Sequence, residues 1–91
     1  MWITGQVVDD RGRALSDVTI EISGPGGGRK RIAVTNKSGQ YVLQDLRPGA
    51  YTLKFGCSGF HTLERKTDAL TTYVATINAQ LTRRLLEPVL Q

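Results

Sequence analysis

Apolar and polar residues alternate along most of this chain, in short runs separated by glycine, proline and asparagine. In Gln40–Leu43 the side chains of Tyr41 and Leu43 share one side, and in residues 51–57 Tyr51, Leu53 and Phe55 do so. A period of two marks a strand with one buried face. The same period predicts strands over 2–9 (Ile3, Gly5 and Val7 inward), 18–23 (Val18, Ile20 and Ile22 inward) and 32–35 (Ile32 and Val34 inward). Two more follow at 61–66 (Leu63 inward) and 73–81 (Ala75, Ile77, Ala79 and Leu81 inward). No amphipathic helix of useful length interrupts them. Seven short strands with regular turn signals predict an all-β fold, a seven-stranded Greek-key β-sandwich.

The breaks between strands have their own chemistry. Asn36-Lys37-Ser38-Gly39 supplies an Asx-type turn with glycine where positive φ is needed. Arg47-Pro48-Gly49-Ala50 has the order of a type II turn, with Leu46 tucked beneath it. Asp10-Arg11-Gly12-Arg13 is a further turn, and residues 24–28 (GPGGG) form a flexible loop. Gly5, inside a strand, marks a place where another backbone or a large ring packs close.

The stretch from Thr35 to Phe60 reads T-N-x-x-G-x-Y-x-L-x-x-L-x-P-G-x-Y-x-L-x-F-x-x-x-G-F. It resembles the carboxypeptidase regulatory-like domain, whose sandwich is transthyretin-like (prealbumin-like) and immunoglobulin-like in class. The opening Ile3-Thr4-Gly5-Gln6-Val7-Val8-Asp9, followed by Gly12 and Leu15, is similar to that family's I-x-G-x-V-x-D…G…L. The resemblance runs from Ile3 to Leu81, and two positions depart from it: Asp17-Val18 stands where Gly-Ala is usual, and Asn36 where Asp is frequent. It implies residues 1–81 as one domain, with 82–91 a C-terminal tail or linker. It implies an accessory role in a larger protein, and an extracellular, cell-envelope or periplasmic location.

Composition narrows the rest. A chain of 91 residues is one domain, and folding at this size buries only about 60–65% of the unfolded surface. Hydrophobic content of 40% and charged content of 22% are those of a globular chain. No apolar run approaches the roughly 20 residues of a membrane span. Met1-Trp2 leads straight into a strand pattern without a secretory leader, so a cytoplasmic site stays open beside the location the resemblance implies. Cys57 is alone, so no internal disulfide supports the fold. A net charge of +4 gives weak attraction to anionic surfaces and does not argue for nucleic acid.

Candidate sites are few. The loop GPGGGRKR gathers Arg29, Lys30 and Arg31 as a weak anion contact, set against a solvated hairpin loop. It lacks the Gly-Lys-Ser/Thr and following helix of a phosphate loop. It also lacks the interleaved aromatics of a nucleic-acid surface. Trp2 and Tyr73 are the aromatics left over for a carbohydrate platform. Cys57 and His61 are two ligands where a structural zinc site needs four, and they read as a buried strand-end thiol and an exposed loop imidazole. Asp9 and Asp10, as strand neighbours, are expected to point to opposite sides, in solvated or turn-capping roles. Isopeptide-linked adhesin repeats share the central stretch, but the first strand here has no lysine, although Asn78 lies on the last.

These features predict no catalytic, cofactor or metal site. They predict a non-catalytic spacer or docking unit with adjoining domains or subunits as partners. A homodimer through an edge strand or the tail is a further expectation, and a carbohydrate-binding module is the alternative.

Overall fold

The computed structural model describes residues 2–24, 30–67 and 74–84. They form eight strands: β1 (Trp2–Val8), β2 (Thr19–Ser23), β3 (Lys30–Val34), β4 (Gln40–Leu43), β5 (Thr52–Gly56), β6 (Leu63–Lys66), β7 (Val74–Thr76) and β8 (Ala79–Gln80). One sheet has the order β4-β1-β7, with β8 also paired to β1. The other has the order β3-β2-β5-β6. β1 is antiparallel to β4 but parallel to β7 and β8.

The core lies between the sheets. Ile3, Val7, Tyr41 and Leu43 come from one side, and Ile20, Ile22, Leu53 and Phe55 from the other. Each is the inward member of its alternating run, as expected. The rings of Tyr41 and Phe55 meet edge to face at 6.0 Å and 75°, which ties the two layers together. Burial holds the Tyr41 phenol protonated far above its usual range, and its hydroxyl donates to the Ile77 carbonyl at 2.6 Å. Leu46 is buried beneath its loop, and the Tyr51 hydroxyl donates to the Arg47 carbonyl above it.

Three local expectations fail, each for a physical reason. On β3, Ile32 and Val34 face outward at 63% and 55% exposure, and Ala33 packs on the core. The next residue decides this. Thr35 is buried, its hydroxyl donating to Leu15 O at 2.7 Å and accepting from Val18 N–H at 3.0 Å. With Thr35 inward, period two puts Ala33 inward as well.

The predicted strand 73–81 is two strands, which raises the count from seven to eight. Between them Ile77 O turns to the Tyr41 hydroxyl, and the Asn78 side-chain Oδ1 accepts the Gln6 N–H at 2.9 Å. Gly5 faces this break. A Cβ there would lie 1.9 Å from Ile77 O, the close approach its glycine signalled.

Pro48-Gly49 is not a type II turn, since Gly49 has φ 154° where that turn needs about +80°. Cys57–Phe60 fits that type instead, with Phe60 N–H donating to Cys57 O at 3.1 Å and Gly59 at φ 87°. Asp17, standing where the resemblance expects glycine, has φ 60°, a conformation aspartate tolerates better than most residues.

Candidate functional site

The sequence-selected residues do not converge. Arg29 and Tyr73 lie outside the described residues. Lys30 and Arg31 are successive on β3 and so take opposite faces. Lys30 Nζ is 3.9 Å from Glu21 Oε1, and Arg31 Nη1 donates to Gln44 O at 2.5 Å. Trp2 belongs to the other sheet and is 39% exposed. Cys57 is half-buried against the core and His61 is exposed, its N–H donating to Thr82 O at 2.9 Å. Among the described residues no three metal-ligating side chains cluster.

The two outer faces differ in kind. β1, β4, β7 and β8 contain no charged residue. Their outward side chains are Trp2, Thr4, Gln6 and Val8, Gln40 and Val42, Val74 and Thr76, and Gln80, with Trp2, Val42 and Val74 at 39–45% exposure. At the β8 end Arg65 borders this face, donating to Asn78 O at 3.1 Å. The outer face of the other sheet carries Glu21, Lys30, Lys54, Glu64 and Lys66, while Arg31 and Arg65, paired with the inward Ile22 and Leu53, lie at its two edges.

A second feature lies where β1 ends. Asp9 follows β1 and closes the loop that returns to Ala14, which bridges Val8. Its Oδ1 accepts the N–H groups of Arg11 and Arg13, both at 2.8 Å. Its Oδ2 faces Arg13 Nε at 3.6 Å and Arg83 Nη2 at 3.5 Å. The Arg13 N–H is the main influence holding this carboxyl below its ordinary range. Burial opposes it, and the Arg11 N–H and the Arg13 and Arg83 charges assist.

Asp10 approaches Arg83 as well, its Oδ1 at 4.0 Å from Nη2 and its Oδ2 at 3.4 Å from the backbone N–H. The two aspartates therefore do not diverge as strand neighbours. β1 stops at Val8, and both lie in the following turn on either side of one arginine. The Arg83 guanidinium also lies 5.7 Å from the centre of the Phe60 ring. Phe60 and Arg83 form a backbone bridge, and Arg84 N–H donates to Gly59 O at 2.8 Å. Sequence spacing gives no sign of this cluster, because Arg83 is 74 residues from Asp9.

Comparison with known proteins agrees with this architecture. The sequence profile of the carboxypeptidase regulatory-like domain matches residues 2–82, and the chain belongs to that family. None of the curated proteins matches the chain. Among solved structures it is similar to the TIE protein of Bacillus anthracis, at 17% identity and TM-score 0.74, over 90% of this chain and 16% of that one. It is similar to chlorocatechol 1,2-dioxygenase of Pseudomonas putida, at 17% identity and TM-score 0.71, over 90% of this chain and 59% of that one. The major pilin subunit of Bacillus cereus is matched at 12% identity and TM-score 0.72, over 88% of this chain and 28% of that one. At these identities the likeness is one of fold. The chain spans 16% to 59% of the length of these three proteins.

Proposed function

We propose that this domain is a non-catalytic docking unit of a larger secreted or cell-envelope protein, and that it meets an adjoining domain through the outer face of β4-β1-β7. The observation that carries this is the uncharged face itself, with Trp2, Val42 and Val74 at 39–45% exposure. An exposed apolar patch rimmed by polar side chains is a feature of contact surfaces. Size favours a tethered neighbour over a free partner. Strands of seven, four and three residues, at ~3.3 Å per residue and about 4.8 Å apart, cover on the order of 220 Å². A stable free complex needs roughly 800 Å² a side, whereas a linked domain is present at effective millimolar concentration. The β3 edge is a poorer route to self-association, because its Lys30 and Arg31 guard against strand pairing.

The test is an amide-shift titration with the adjoining domain, read beside a dilution series and a panel of soluble polysaccharides. Shifts confined to Trp2, Val42, Val74 and their neighbours on adding the adjoining domain are expected, with a monomer throughout the dilution. A dimer at micromolar concentration would replace this function with self-association. A response to one polysaccharide alone would replace it with carbohydrate binding.

A further inference from the structure

A hollow of about 810 Å³ opens at the pole of the sandwich where β1 ends. It lies six residues along β1 from Trp2, roughly 20 Å at ~3.3 Å per residue, and is independent of the docking face. Its lining includes the polar Arg13, Arg83, Arg84 and Ser58 and the apolar Leu15 and Phe60. The volume falls in the range of about 300–1,000 Å³ common for small-ligand sites.

Asp9 is the one carboxylate among the described lining residues, and its Oδ1 is already taken up by two N–H groups. Arg13 and Arg83 face it at 3.6 and 3.5 Å, Arg84 lines the same hollow, and with Asp10 counted the excess of the three arginines over the two aspartates is still positive. Arg83 reaches the two aspartates at 3.5 and 4.0 Å, beyond the ~2.7–2.9 Å of a short charge-assisted bond, so its donors are not saturated. The Phe60 ring, 5.7 Å from the guanidinium carbon, steadies it from one side.

We propose that this hollow binds a carboxylate carried on an apolar group, with the carboxylate at Arg83 and Arg84 and the apolar group on Phe60 and Leu15. A planar carboxylate matches the fork of a guanidinium. A single negative charge suits a wall whose excess is small, and the nearby Asp9 and Asp10 repel a doubly charged phosphate. The same chemistry belongs to a small arylalkanoate and to the free C-terminus of a peptide ending in phenylalanine.

The experiment is an amide-shift titration of the whole chain with 3-phenylpropionate. Acetate, inorganic phosphate and neutral 3-phenylpropionamide serve as comparison probes. Saturable shifts at Ser58, Gly59, Phe60 and Arg84 are expected with 3-phenylpropionate alone. Arg84→Gln should weaken binding roughly tenfold, the worth of one charge-assisted hydrogen bond. Its backbone bond to Gly59 stays in place, so the fold is retained. Lys54→Gln, on the outer face of the other sheet, should leave the affinity unchanged. A second titration with Gly-Gly-Phe and its C-terminal amide separates the two sources: tighter binding of the free peptide than of 3-phenylpropionate assigns the hollow to peptide ends, and weaker binding to small acids. Equal shifts from the amide or from acetate, unchanged affinity in Arg84→Gln, or no shifts at all would overturn the proposal.

Discussion

The turn at residues 9–13 and the turn at 36–40 have the same hydrogen bonds and different surroundings. In each, the first side-chain oxygen accepts the N–H groups two and four residues on: Arg11 and Arg13 for Asp9, Ser38 and Gln40 for Asn36. In each, the first carbonyl accepts the N–H three residues on, and the first N–H donates to the carbonyl four residues on. The fourth residue is glycine in both, with φ 82° at Gly12 and 74° at Gly39. Yet Asp9 is buried and charged while Asn36 is exposed and neutral. Gly12 has open space where a Cβ would go, whereas at Gly39 that Cβ would lie 2.6 Å from Val7 O. The turn itself needs an acceptor oxygen and a glycine, and it needs no charge. The charge of Asp9 serves Arg83, and the packing of Gly39 serves β1.

Substitutions can separate these roles. The largest effect is expected at Gly39→Ala, where left-handed strain of about 1–2 kcal/mol adds to a backbone clash. We expect about 3 kcal/mol or more by urea unfolding. A cost equal to that of Gly12→Ala would erase the contrast between the two glycines. Next comes Asp9→Asn, which keeps the turn, as Asn36 shows, and removes the charge facing Arg13 and Arg83. The Asp9 carboxyl is depressed in the folded state. Its contribution is therefore present above the unfolded value of about 3.9 and lost as pH falls through the folded value. The native protein should exceed Asp9→Asn in urea midpoint at neutral pH and converge on it in acid below about pH 4. A gap that persists undiminished to pH 2 would show that the charge is not what Asp9 supplies.

Smaller effects complete the series. Gly12→Ala should cost about 1 kcal/mol, from φ alone. Asn36→Asp should fall within about 0.5 kcal/mol of the native protein, because it restores the same acceptor at an exposed position. A larger change there would mean that the two turns are not equivalent after all.

What could be seen in the sequence was what is local. The Asn36 turn, the inward faces of β1, β2, β4 and β5, and the close approach at Gly5 follow from neighbours in the chain, and the structure has all of them. The face of β3 could not be decided in this way. Ile32-Ala33-Val34 alternates whichever side is inward, and the choice falls to the Thr35 hydroxyl and its partners at Leu15 and Val18. The break at Asn78 depends on the Tyr41 hydroxyl drawing Ile77 O inward, across 36 residues. The Asp9–Arg83 cluster joins the two ends of the described chain, so each member alone reads as an ordinary surface charge.

The pairing of β1 with β7 and β8 has a mechanical consequence. All three strands run the same way, so Trp2 enters this ladder at one end and Leu81 leaves it at the other. Tension applied between those two points would load the ladder in shear. Its bonds, including the side-chain one that Asn78 makes across the break between β7 and β8, would resist together instead of opening one after another. The same ladder pulled from two points at one end would unzip bond by bond at lower force. The direction of pull, more than the folding free energy, would then set how long the domain holds.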